Sequence, residues 1–157
     1  MYGWMVLVFV ADRVTKALAV RGLPLGESVP VIEGVLHWTH VQNTGAAFGI
    51  LRGRFLFFVV ANVVLLAGIL WWHHFSRDGH LMSRPAAGMI LGGALGNQVD
   101  RIAWGYVVDF IDFRVWPVFN VADIGLVVGS VLLAVHLWRV SAKEEQERCM
   151  TADELGG

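Results

Sequence analysis

The stretch from Phe55 to Trp72, FLFFVVANVVLLAGILWW, holds 18 residues without a charge and closes on two tryptophans. A run of that length and apolarity crosses a hydrocarbon core as a helix, and tryptophan favours the membrane interface. This one segment makes the chain integral to a bilayer. Composition agrees: 56% of the residues are apolar and 16% charged, against about 25% charged in a soluble domain. The mean hydropathy is +0.60. A length of 157 residues predicts a single polytopic domain.

Three more helices are expected, at about 1–20, 85–104 and 121–139, with a charged tail over 140–157. The first contains an apolar run, Trp4 to Ala11, of the length found in signal peptides. No basic segment precedes it, and Asp12, Arg13 and Lys16 stand where a cleavage site would lie, so it reads as a retained helix. The third span, from Pro85 to Val99, continues through Asp100 and Arg101 into the apolar IAWGYVV. In the fourth, Asp123 is the only charge in the 24 residues between Arg114 and Arg139. Gly88, Gly92 and Gly96 recur every four residues, as do Gly125 and Gly129, the spacing that lets membrane helices approach closely. The segment at about 25–45 is rich in β-branched and aromatic residues between Pro and Gly punctuation, which predicts strands. The fold class is therefore an all-α membrane protein of four transmembrane helices, with a small β-sheet outside the hydrocarbon core between helices 1 and 2.

Lysines and arginines outside the helices divide five against five between the two sides, so the positive-inside rule leaves orientation open. A net charge of -1 offers no basic surface for nucleic acid. The single cysteine, Cys149, lies in the tail and can form neither an internal disulfide nor a metal set. His37 and His40 are three apart without an HExxH pattern, His73, His74 and His80 belong to a short loop, and Ser130 lacks a nucleophile elbow.

Ionisable groups in or beside apolar spans are costly, about 2.5–3.5 kcal/mol each at a helix centre, so they mark function or pair with one another. Asp12 and Lys16 share a helix face four residues apart and suit a structural tether. GGALGNQVDR gathers Asn97, Asp100 and Arg101 at one helix end. There Arg101, which stays charged, needs a carboxylate such as Asp100, a carbonyl or a substrate peptide. VVDFID sets Asp109 in an apolar strip, and FNVAD sets Asn120 and Asp123 at a helix start. If Asp109 and Asp123 meet, desolvation and repulsion leave one acid and one base near neutral pH, which is what water-driven amide hydrolysis needs. Alternatively, Asp123 caps its helix and Asp109 pairs with an arginine.

The chain resembles the lipoprotein signal peptidase (signal peptidase II) family of bacterial intramembrane aspartyl proteases. The resemblance rests on five ordered blocks: DRVTK at 12–16, QNTGAAFG at 42–49, GGALGNQVDR at 92–101, VVDFIDF at 107–113 and FNVAD at 119–123. It implies that Asp109 and Asp123 are the catalytic dyad. It further implies that Asn43 and Arg101 hold substrate, Asn97 and Asn120 support the site, and Asp12, Lys16 and Asp100 stabilise the helical frame. The implied partners are diacylglyceryl-modified prolipoproteins, cut just before the modified cysteine, membrane lipids, and inhibitors of the globomycin type. The implied setting is the bacterial inner (cytoplasmic) membrane, with both termini cytoplasmic, a β-cradle outside and the site near the outer face. No cofactor or metal, and a monomeric state, are expected. The 14 residues from Asp109 to Asp123 make a shorter connection than in many members.

A small proton-coupled transporter, with Asp12, Asp109 and Asp123 relaying protons, is the competing reading from another class. The halves show no matching repeat in its favour. Carboxyls converging on one cavity favour hydrolysis, whereas carboxyls strung across the bilayer favour transport. Phe48, Trp104 and Trp116 are candidates for lining a lipid path.

Overall fold

The computed structural model describes residues 1–45, 55–75 and 83–156. Phe48, Arg52, Arg54, Arg77 and His80 lie outside the described residues, as does the second half of the QNTGAAFG block. Among the described residues, four helices, α1 (Tyr2–Gly22), α2 (Phe55–Phe75), α3 (Ser83–Trp104) and α4 (Val121–Gly156), accompany three strands, β1 (Ser28–Ile32), β2 (Leu36–Asn43) and β3 (Val107–Asp112). Two of the helices are long and apolar enough to cross a membrane, over Leu56–His74 and Val121–Gln146. α1 and α3 are diluted by Asp12, Arg13, Lys16, Asp100, Arg101 and the glycines.

Burial is inverted relative to a soluble protein. The side chains most hidden include Asp12, Lys16, Asp100 and Asn120, while Val64, Val127 and Trp138 are each more than half exposed. Charges turned inward and valines turned outward suit a hydrocarbon surrounding, where the solvent is the apolar phase. α3 is the central helix, packed on α1, α2 and α4. Its Gly88 and Gly92 lie against Met1, which caps α1, and Trp4, Met5 and Val8 of α1, so close that a Cβ on Gly88 would meet the Met1 carbonyl. A Cβ on Gly93 would meet the Ala122 carbonyl of α4, and Gly129 lies against Ala86 and Ile90. The glycine stripes are contact surfaces, as their spacing implies.

The sheet differs from expectation in one respect that matters for the site. It does not belong to the segment between the first two helices alone, because β3 follows α3 and completes the order β1-β2-β3. α3 ends at Trp104, within the stretch IAWGYVV. Gly105 adopts a φ of +78° and its N–H bonds the Arg101 carbonyl at 2.9 Å, a left-handed glycine cap that turns the chain out of the helix. The β-branched pair Val107-Val108 then extends against β2, with Val41 opposite Asp109 and Asn43 opposite Val107. β1, whose Pro30 removes one donor, takes the edge. At the other end of the chain, α4 runs to Gly156, so the charged residues from 140 to 156 are helical.

Candidate active site

β3 and the start of α4 are joined by a short connection that folds back on the strand. Phe119 pairs with Ile111, its carbonyl accepting the Phe110 and Ile111 N–H groups at 3.0 and 2.8 Å. This clasp brings Asn120 and Asp123 beside Asp109. Arg114, in the bend, holds a left-handed φ of +65° while its N–H bonds Asp112 Oδ1 at 2.7 Å. Asp112, which also accepts the Thr39 hydroxyl at 3.0 Å, anchors the connection and lies outside the dyad.

α4 begins with a reciprocal cap. Asn120 Oδ1 accepts the Asp123 N–H at 3.0 Å, and Asp123 Oδ2 accepts the Asn120 N–H at 3.2 Å, so two otherwise orphaned donors are satisfied. A third, the Ala122 N–H, is taken by Asp12 Oδ1 of α1 at 3.0 Å. The capping role weighed for Asp123 is therefore real, but it leaves the side chain facing the site. The other half of that alternative fails, since Asp109 is held by amides instead of an arginine. Asn120 Nδ2 donates to Asp109 Oδ1 at 2.6 Å and Asn43 Nδ2 donates to Asp109 Oδ2 at 2.9 Å.

Asn97 links this pair to the frame. Its Nδ2 donates to Asp123 Oδ1 at 2.7 Å, and its Oδ1 accepts Lys16 Nζ at 2.9 Å and Asn120 Nδ2 at 3.2 Å. Lys16 Nζ also stands 2.9 Å from both Asp12 Oδ2 and Asp100 Oδ2. Asp12 and Lys16 are thus paired as their spacing implies. Asp100 does not pair with its neighbour Arg101. It binds Lys16, the Val108 N–H at 3.2 Å and Arg13 Nη2 at 2.6 Å. Arg13 was missed in the sequence, where the only signal was a second cation in DRVTK one residue from Asp12.

A recess of about 270 Å³ opens where these elements meet, lined by Asn43, Arg101, Asp109 and Asp123, with Phe58 and Trp116 at its walls. The Arg101 guanidinium lies 5.4 Å from the centre of the Phe58 ring, a cation–π placement, with the charges of Asp123, Asp109 and Asp100 in its surroundings. Burial pushes the Asp109 carboxyl up to about 7, the nearby charge of Asp123 adds to that, and the Asn43 and Asn120 hydrogen bonds oppose it. Beside the recess, an apolar cavity of about 430 Å³ runs from Asp123 along Ile124, Val127 and Val128 under Phe113 and Trp116. Of the aromatic residues considered for a lipid path, Trp116 lines both spaces, and Trp104 lines neither. His37 and His40 are engaged elsewhere, by Ser28 at 3.3 Å and the Leu23 carbonyl at 2.9 Å.

Two solved structures of bacterial membrane enzymes, obtained by the in meso method, share this architecture. One superposes with a TM-score of 0.83 at 33% identity, covering 89% of this chain and 88% of its own. The other gives 0.78 at 35% identity, over 85% and 89%. The class defined by fold and site is thus a membrane enzyme. Residues 4–139 match the family profile described as signal peptidase (SPase) II. The lipoprotein signal peptidase of Halothermothrix orenii is 47% identical over 133 residues, 85% of this chain and 91% of that protein. That of Bacillus subtilis is 38% identical over 146 residues, 90% and 95% of the two chains. The chain belongs to the signal peptidase II family and is a membrane peptidase.

Proposed function

We propose that this protein removes signal peptides from diacylglyceryl-modified prolipoproteins, cutting before the modified cysteine with Asp109 and Asp123 as an aspartyl dyad. The observation that carries the reading is the convergence of both carboxyls on one recess, each oriented by asparagine donors. The relatives' printed name, lipoprotein signal peptidase, supplies the substrate class.

In the proposed reaction Asp109 starts with the proton, which its position near 7 allows, and Asp123 starts as the base. Asp123 takes a proton from water, the hydroxide adds to the scissile carbonyl carbon, and Asp109 protonates the carbonyl oxygen. As the intermediate collapses, Asp123 gives its proton to the leaving amine nitrogen, the C–N bond breaks, and Asp109 recovers a proton from the diol. Both carboxyls return to their starting states. Asn43 and Arg101 hold the substrate backbone at the recess, Asn97 and Asn120 aim the carboxyls, and Asp12, Lys16 and Asp100 hold the frame. The apolar cavity beneath Trp116 is suited to an acyl chain.

The proposed setting is the bacterial cytoplasmic membrane, with four transmembrane helices, both termini in the cytoplasm, and the sheet and dyad at the outer face. Proton transport is disfavoured because Asp12, Asp100, Asp109 and Asp123 are linked within one cluster and do not form a path along the helices. The test is cleavage of a diacylglyceryl-modified prolipoprotein peptide by the purified protein with a chelator present. Cleavage before the modified cysteine, abolished in folded Asp109→Asn and Asp123→Asn variants, supports the reading. Cleavage that persists in either variant, or that the chelator stops, overturns it.

A further inference from the structure

A second recess, of about 570 Å³, lies between α1, α3 and β3 and shares no lining residue with the dyad recess. Asp100 faces it where Arg101 faces the dyad, and Val108 faces it where Asp109 faces the dyad. This follows from the rotation between neighbours on a helix and the alternation on a strand. Its α1 wall is the stripe 13, 16, 17, 20 and 21, one helical face by its three- and four-residue steps.

The charges around it do not balance. Arg13, Lys16 and Arg21 line the recess, and Asp12 and Asp100 answer them, three cations to two carboxylates. Arg13 is taken by Asp100, and Lys16 by both acids. Arg21 is left over. It occupies the last turn of α1, is exposed, and has no ion-pair partner among the described residues. Trp104, 65% exposed at the end of α3, and Tyr106 stand at the same sheet-side end of the helices, where amphipathic rings mark the membrane interface. The remaining walls are apolar, with Ala17, Val20, Val99 and Ala103.

We propose that this recess binds an anionic phospholipid of the surrounding bilayer, its phosphate on Arg21 between Trp104 and Tyr106 and an acyl chain against Ala17, Val20 and Ala103. A guanidinium takes a phosphate through two parallel N–H donors, and the apolar walls continue into the bilayer. The site requires only that α1 and α3 lie in a membrane, so it is independent of the peptidase reading.

The test is native mass spectrometry of the full chain in detergent, with phosphatidylglycerol and phosphatidylcholine in equal amounts. Wild type retains one phosphatidylglycerol with about tenfold preference, the worth of one charge-assisted contact. Arg21→Gln, an exposed end-of-helix change that leaves the fold intact, loses that preference, and Arg21→Lys keeps part of it. Trp104→Ala weakens retention of phosphatidylglycerol without removing the preference for it. Equal retention of both lipids by wild type, an unchanged preference in Arg21→Gln, or full displacement by inorganic phosphate would each overturn the proposal.

Discussion

Asp109, the proposed acid, has mixed surroundings. It is 2% exposed, faces a second carboxyl, and yet receives two amide donors. Its carboxyl, raised from 3.8 to about 7, holds its proton below that pH and loses it above. As the proposed acid it must begin protonated, so kcat/KM should fall as pH rises through about 7. A pH–rate profile of the purified protein checks this, and a rate flat from about pH 6 to 8, roughly one unit below and above, contradicts it. Asp109→Asn and Asp123→Asn should each lower turnover by roughly a hundred- to ten-thousandfold, the usual worth of a positioned acid or base, with the protein still folded in the membrane. Asn97→Ala removes a donor to Asp123 and a Lys16 acceptor together. About a tenfold loss or more in kcat is expected, with KM little changed.

The helices were legible in the sequence because an apolar run and a glycine period are local signals that a bilayer enforces. β3 was not legible as a strand. Its apolar VVDFID follows α3 almost directly, and its partner β2 lies more than 60 residues earlier, so only tertiary pairing and the Gly105 cap separate it from the helix. Asp109 and Asp123 stand out in the sequence as two acids near apolar runs, and Asn97 and Asn120 as polar neighbours, but the supporting role of the asparagines comes only from the resemblance, since nothing in FNVAD reveals that Asn120 reaches Asp109 at 2.6 Å. At the level of helix contacts, Gly93→Leu would drive its side chain into Ala122 and Leu126 and should sharply reduce folded protein. Gly68→Ala, with nothing within 4 Å, should leave abundance unchanged or slightly higher. Membrane-fraction immunoblots and melting in detergent distinguish the two. Asp12→Ala belongs to the same scale. It strips a carboxylate from Lys16 and a cap from α4, and should lower abundance while leaving turnover per folded molecule largely in place.

Among the described residues, Asp12, Lys16, Asp100 and Asp109 turn inward and many valines outward, and the recess at Asp109 and Asp123 adjoins an apolar cavity under Trp116. A lipidated peptide should therefore be cut far faster than the same peptide without lipid, chiefly through KM, since the acyl chains both concentrate it in the bilayer and fill apolar space. Comparable kcat/KM for the two peptides in the same micelles would remove the role given to that cavity. The unbroken line from Arg13 through Asp100, Lys16 and Asn97 to Asp123 and Asn120 has a further meaning. The polar side chains an inhibitor would grip in this recess are wired to those that keep the helices together. On the proposed reading, a substitution of Asp109 or Asp123 that loosens such a grip forfeits the reaction, and one of Asn97 or Lys16 also weakens the frame, so tolerated changes are expected at the apolar rim around Phe113 and Trp116.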